Sequence, residues 1–352
     1  MGGCTRRPHR WSRVAAVALV FASSGCWIIA GLEDRTLLEG DPAEGGTSSE
    51  AGGDGSTDGP ASDGSDGGAK RCYIDDPFEE GGARVMGIES PRREYSATLS
   101  EDELEILVSG EWDYRNDASL EPLVAIWRAT RPTRTSAFSN ITKMPFDEGR
   151  VWGSPTLADD AGVLYVVGYS DPLRFTYRTT RIDGGYSDQL TGVPIDLSGT
   201  EYLAVDTGNE TIYFAQSRDD GGPLSLWKKT IARDGGADTM PVELTELSTV
   251  VADGGDYDIA APVISRDKEV LYFVVSERPT GANRVFRATA SPKGPTTKTE
   301  FIPLSIKEVT EVNAGSFRSF PVWVSPDLCR LYVSQLRGAG ARDIYVYERK
   351  PR

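Results

Sequence analysis

The chain has one histidine, His9, and it lies within a basic leader. Without another imidazole the remainder cannot assemble a Ser-His-Asp or Cys-His nucleophile, and it offers zinc no histidine ligand. No metal site and no cofactor are expected. Cysteine is scarce as well, at four residues: Cys4, Cys26, Cys72 and Cys329. Past the N-terminus no apolar run approaches the roughly 20 residues of a membrane-spanning helix. Bases are outnumbered 53 to 38, for a net charge of −15 and a pI near 4.7. Four of them (Arg6, Arg7, Arg10 and Arg13) sit in the leader, and removing those four takes −15 to −19. Such a chain repels polyanions, so no nucleic-acid partner is expected.

What is present begins with that leader. Residues 1–13 are basic, Val14–Ala22 is a short apolar stretch, and Ser23, Ser24 and Gly25 run up to Cys26. This is the layout of a secretory signal over residues 1–25. Small residues leading directly into a cysteine resemble the bacterial lipobox, although Ser23 stands where leucine is commonest. The resemblance implies that Cys26 is acylated and becomes the new N-terminus; a plain cleaved signal is the alternative. Arg6-Arg7 is followed by Pro8 and lacks the pattern of twin-arginine export. Trp27 follows the cysteine where inner-membrane lipoproteins of enteric bacteria carry Asp. By that resemblance the protein is anchored in the cell envelope, at the outer rather than the inner membrane. Residues 26–71 hold the attachment point and a linker of glycine, serine and acids, too poor in apolar surface to offset the entropy of ordering it. Its SDGSDGG run (62–68) lacks the bidentate glutamate of a calcium loop.

From Cys72 to Arg352 the composition changes to short β-branched and aromatic runs broken by Asp, Gly and Pro. One strand recurs five times: EILVS (105–109), VLYVV (163–167), TIYFA (211–215), VLYFV (270–274) and RLYVS (330–334). The central residues Leu107, Tyr165, Tyr213, Tyr272 and Tyr332 are 58, 48, 59 and 60 positions apart. Each run is preceded by another short strand and an acidic turn, as in YSATLSED, APVISRD and FPVWVSPD. Each is followed by a third strand with an aromatic residue ahead of a polar end, such as IWRATR (126–131) and IYVYER (344–349). PVELTEL (241–247) and TEFIPLSI (299–306) supply fourth strands. Four antiparallel strands repeating every 50–60 residues define an all-β propeller of five blades, with six as the alternative.

The S-P-D turn before L-Y-F, with an aromatic strand after it, resembles the WD40-like repeat of TolB-type bacterial propellers, over Tyr95–Arg349. That family's turn usually continues as Asp-Gly. Here it reads Asp102-Glu103, Asp267-Lys268 and Asp327-Leu328. The last unit ends just after its third strand, leaving an open edge. RVMGI (84–88) has the alternation to fill it and close the ring. Cys4 departs with the leader and Cys26 takes lipid, so Cys72 and Cys329 are the expected disulfide, consistent with export.

Ligands of propellers usually sit where the inner strands begin. Counting back 12 to 14 positions from each central residue reaches Arg93, Glu94, Trp152, Glu201, Asp258 and Arg318. These are the candidate rim residues; polar loop positions of no special role would look the same. Two functions are compatible with them. The first is a non-enzymatic binding or scaffolding module, with an envelope protein or glycan as partner. The alternative is a carbohydrate-active propeller using Glu94, Glu201 and Asp258 as carboxylates. The sialidase-like box SRDDGG (217–222) lacks its downstream aromatic spacing.

Overall fold

The computed structural model describes residues 71–350, except 90–92, 112–123, 147–149, 159–161, 171–172, 184, 194–200, 207–210, 218–221, 232–239, 248–255, 279, 291–300, 303–304, 316–317 and 338–340. The leader, Cys26, nearly all of the linker and the centre of the SRDDGG box therefore lie outside the described residues.

The first strand, β1 (Ala83–Arg84), belongs to the last sheet. Blade 1 follows as β2 (Glu94–Leu99), β3 (Glu105–Glu111), β4 (Val124–Thr130) and β5 (Ser139–Lys143). Blade 2 has β6 (Val151–Ala158), β7 (Val163–Ser170), β8 (Leu173–Ile182), a short β9 (Gly185–Tyr186) folded back on β8, and β10 (Thr191–Val193). Blade 3 has β11 (Glu201–Val205), β12 (Thr211–Ser217), β13 (Leu224–Thr230) and β14 (Val242–Glu243). Blade 4 has β15 (Tyr257–Ile264), β16 (Val270–Glu277), β17 (Ala282–Thr289) and β18 (Lys307–Glu308), with a short helix α1 (Thr310–Asn313) after it. Blade 5 has β19 (Arg318–Val324), β20 (Arg330–Arg337) and β21 (Ala341–Glu348), with β1 as its outer strand. The inner strands touch in the order β2, β6, β11, β15, β19 and back to β2. The protein is a five-bladed propeller. One expectation is displaced: the outer strand of blade 4 is Lys307–Glu308, just beyond TEFIPLSI, where Phe301 makes only an isolated bridge to Ala290.

Why the second strand of each blade was so legible follows from packing. Buried against a neighbouring blade on both faces, it reads as a continuous apolar run rather than an alternation. Val270–Val275 is buried at every position, and Leu107, Tyr165, Tyr213, Tyr272 and Tyr332 are all at most 2% exposed. The tyrosine hydroxyls also reach the next blade. Tyr332 donates to Glu103 of blade 1 at 2.8 Å, and Tyr272 accepts from Arg349 of blade 5 at 3.0 Å.

The acidic turns repeat atom for atom. Ser100, Ser265 and Ser325 each accept, on Oγ, the N–H five residues on, at 2.8–2.9 Å. Asp102, Asp267 and Asp327 each accept the N–H two residues on, at 3.0 Å. The residue after each Asp is left-handed: Glu103 at φ 62°, Lys268 at 62° and Leu328 at 60°. Glycine would avoid about 1–2 kcal/mol of strain at each place. What the side chains do instead is reach the preceding blade. Glu103, 1% exposed, pairs with Arg330 at 2.5 Å. Lys268 pairs with Asp206 of blade 3 at 3.2 Å. Leu328, 2% exposed, packs among Val263, Val270 and Tyr272 of blade 4.

Ring closure rests on the N-terminal segment. Ala83 and Arg84 pair with Val346 and Tyr345, and the Val85 N–H donates to the Ile344 carbonyl at 2.9 Å. Upstream, the Glu79 N–H donates to the Glu348 carbonyl at 2.7 Å, and the Cys72 N–H to the Asp327 carbonyl at 2.9 Å. Cys72 and Cys329, 257 positions apart, form a disulfide with their Cα atoms 5.0 Å apart. Beside it Arg349 lies over the Phe78 ring at 3.9 Å and donates to the Leu328 carbonyl.

Two stability predictions follow from this closure. Replacing Cys72 and Cys329 by alanine should lower unfolding free energy by about 2–5 kcal/mol in chemical denaturation; an unchanged midpoint contradicts the closure. Glu103→Gly relieves strain but takes away the acceptor of the Tyr332 hydroxyl and, among the described residues, leaves Arg330 with Asp327 alone, so a net loss of about 1–3 kcal/mol is expected. Lys268→Gly gives up a pair whose carboxylate, Asp206, is 1% exposed but whose lysine is about one-third exposed, so it should lose less than Glu103→Gly. The same denaturation series checks both, and equal losses would contradict the assigned role of Glu103.

Candidate ligand-binding mouth of the central channel

All five inner strands carry an irregularity in their pairing. The shifts fall between Glu94 and Ser96, Gly153 and Thr156, Glu201 and Leu203, Ala260 and Val263, and Pro321 and Trp323. Ser154, Tyr202 and Ala261 have positive φ there, with prolines following at 155 and 262. Proline fits, because a bulge leaves a position with no ladder partner for its missing N–H. The bulges also change which side chains face the lumen.

The lumen is largely filled. Tyr202 and Phe320 stack across it, centroids 5.7 Å apart and planes 17° apart. Tyr95, Ser154, Pro262 and Phe320 bound a cavity of about 30 Å³ at this level. Toward the opposite end, Thr98, Thr156, Pro262 and Trp323 bound one of about 70 Å³. Pockets for drug-sized ligands run to roughly 300–1,000 Å³. Cavities of this size have room for water rather than for a sugar, so the mouth above the aromatic residues is the candidate place of ligand contact.

The rim residues expected from the sequence are all at or beside strand starts. Arg93, half-buried, immediately precedes β2, and its carbonyl accepts the Glu111 N–H at 3.0 Å. Glu94 is the first residue of β2 and only 1% exposed; its carbonyl accepts the Ser334 hydroxyl at 2.8 Å. Trp152, second in β6, turns into the core between blades 1 and 2, 5.4 Å from both Phe146 and Tyr177, and is 3% exposed. Asp258, second in β15, accepts from the Leu224 N–H at 2.8 Å and from Arg278 at 3.2 Å, tying blade 4 to blade 3. Arg318 opens β19 and is exposed, its guanidinium lying against Gly281, where a Cβ would come within 2.9 Å of it. Glu201 opens β11; its side chain lies outside the described residues.

Sequence reasoning missed Tyr95, Tyr202, Phe320 and Arg342. The three aromatics lie one or two residues into inner strands, a signal available in the sequence. Arg342 belongs to a third strand and arrives through register: Arg318 pairs with Leu336, and Leu336 with Arg342. Its guanidinium lies 4.7 Å from the Phe320 centroid and 5.8 Å from that of Tyr95. Burial pulls Arg342 below the usual guanidinium value; Tyr202 and Tyr95 oppose this, while the Arg93 and Arg318 charges add to it. Tyr95 donates to Glu111, and burial, then that carboxylate, push its phenol up to about 12. Among the described residues no group of three or more His, Cys, Asp or Glu could hold a metal ion, and no helix is long and apolar enough to cross a membrane.

No protein-family model matches the chain, and no curated protein matches it. Among solved structures it is similar to putative TolB from Agrobacterium tumefaciens, at 17% identity over 73% of this chain and 74% of that one, TM-score 0.40. TolB from Acinetobacter baumannii gives 12% identity and a TM-score of 0.37; the match covers 75% of this chain and only 56% of that one. An alpha-L-arabinanase from Penicillium chrysogenum, complexed with arabinobiose, gives 13% identity over 75% of this chain and 85% of that one, TM-score 0.42. Identities and scores this low leave function to be argued from the residues themselves.

The Tyr95 environment yields a pH prediction. The folded state favours the neutral phenol, so its stability contribution is complete below pH ~10, the unfolded value, and is lost as pH rises toward 12. Tyr95→Phe should therefore reduce the fall of the urea midpoint between about pH 10 and 12. An identical alkaline slope in parent and variant contradicts the assignment.

Proposed function

We propose that the chain is an exported lipoprotein, held in the cell envelope by acyl chains on Cys26, whose propeller is a non-enzymatic binding or scaffolding module. The observation carrying the binding reading is the filled channel. Stacked Tyr202 and Phe320 adjoin a cavity of about 30 Å³, a second of about 70 Å³ lies toward the opposite end, and among the described residues the mouth presents Arg93, Arg318 and Arg342. Glycoside hydrolysis needs two carboxyl groups facing a sugar across roughly 5–10 Å. Glu94 is only 1% exposed and Asp258 is committed to Arg278 and a backbone N–H, while the Glu201 side chain lies outside the described residues.

The export reading is supported by the signal layout of residues 1–25 and by the Cys72–Cys329 disulfide, a bond that persists in oxidising compartments. One acyl chain binds a membrane only marginally, whereas several on one cysteine anchor stably. The partner is an envelope protein or glycan, and the outer membrane is the favoured location.

The test is a fractionation. The parent should partition into detergent with the envelope, and mass spectrometry should show a chain beginning at modified Cys26. Cys26→Ser should release the propeller into the soluble fraction. A mature chain beginning at an unmodified residue overturns the anchor. Turnover of aryl glycosides or arabinan by the purified protein overturns the non-enzymatic reading in favour of the carbohydrate-active one.

A further inference from the structure

Acids outnumber bases 53 to 38 in this chain, and most of the arginines described are tied to acids. Arg128 pairs with Glu105 at 2.8 Å, Arg278 with Asp258 at 3.2 Å, Arg287 with Asp75 at 2.8 Å and Arg330 with Glu103 at 2.5 Å. Arg93, Arg318 and Arg342 are not so tied, and unlike Arg349, which among the described residues is also free of acids but is buried on Phe78 and Tyr272, they lie at the channel mouth. Among the described residues none of the three is paired with a carboxylate, although they are near enough for Arg93 and Arg318 to act electrostatically on Arg342. They come from separate strand starts: Arg93 stands next to the start of the strand that carries Tyr95, Arg318 is linked to Arg342 through Leu336, and Arg342 lies over the Phe320 and Tyr95 rings. Like charges repel, and among the described residues the nearby Glu111 carboxylate is engaged by Tyr95 rather than by an arginine, so the three guanidiniums leave a site that an anion completes.

We propose that Arg93, Arg318 and Arg342 form a carboxylate-binding site at the channel mouth, and that its ligand is the C-terminal carboxylate of a polypeptide. The proposal rests on the binding-module reading above and deepens it.

Three features choose this ligand. The Arg342 guanidinium, held 4.7 Å from the Phe320 centroid and 5.8 Å from that of Tyr95, has a planar donor fork that suits a carboxylate. The net charge of residues 71–352, −11, repels a ligand in proportion to its own charge, so a single carboxylate is favoured over a phosphate or a polyanion. Finally, the channel is closed just below by Tyr202 and Phe320, with a cavity of about 30 Å³ between them and Tyr95. That floor admits the end of a chain and a small last side chain, not a segment passing through. An acidic sugar would need several hydroxyl partners at the mouth, and Tyr95 already donates its own hydroxyl to Glu111.

The test uses the natively purified full chain in detergent and a pool of acetylated tripeptides, once with free C-termini and once amidated. Calorimetric titration should show the free-acid pool binding about ten- to a hundred-fold more tightly, with the preference shrinking as salt rises. Arg318→Gln, at an exposed position, should abolish the preference without changing the thermal midpoint. Arg342→Met, which keeps the apolar stem over Phe320, should abolish it as well. Equal binding of acid and amide, or a preference indifferent to both substitutions, overturns the carboxylate site and leaves the binding-module reading standing. Arginine-dependent binding of glucuronate without binding of the peptide acids overturns the polypeptide assignment. Hydrolysis of the peptides would instead overturn the non-enzymatic reading beneath it.

Discussion

The structure depends on how a ring made from one chain is held shut. Four of the five blades are built from consecutive strands, and each could form while the ring is still open. The fifth is composite, because β21 has no outer neighbour until Ala83 and Arg84 return to pair with it. An unpaired edge there would expose a row of backbone donors and acceptors and invite pairing with another chain. The closure is therefore reinforced several times over within a few residues. Backbone bonds run from Cys72, Glu79 and Val85, the Cys72–Cys329 bond joins the two regions covalently, and Arg349 stacks on Phe78 beside it. The entropy of closing so long a loop in the unfolded chain makes a covalent tie most effective at this place.

The turns transmit that closure around the ring. A left-handed residue after each Asp is a position where glycine has the steric advantage, yet three turns carry Glu103, Lys268 and Leu328. Each side chain crosses to the preceding blade, by ion pairs in the first two cases and by apolar burial in the third. The departure from Asp-Gly is thus a local strain exchanged for contact between blades. Glu103 is the strongest case, since it joins blade 1 to blade 5, the same junction that the N-terminal segment closes.

Much of the fold was legible because strands sandwiched between blades lose their alternation and become apolar throughout, which makes five copies easy to align. The strand starts were legible for the same reason: Glu94, Glu201 and Arg318 are first residues of inner strands, and Trp152 and Asp258 are second residues. Where each side chain points was not. A bulge shifts the phase of a strand by one, and every inner strand has one near its start. Trp152 consequently packs sideways into a core, while Tyr202, at φ 64°, stacks across the lumen. Arg342 was hidden for another reason. Its place beside Arg318 exists only through two successive cross-strand pairings within blade 5, which no spacing in the sequence displays.

The central claim is that closure between blade 5 and the N-terminal segment holds the whole ring. Native-state hydrogen exchange, read by mass spectrometry on the intact and the disulfide-reduced protein, tests it most directly. On this account reduction lowers protection first in β21 and β20, and with them in β2 and β3 across the junction, while β12 and β13 on the far side change least. If reduction leaves β20 and β21 as protected as before, or loosens the far blades first, the closure does not hold the ring and the account is wrong.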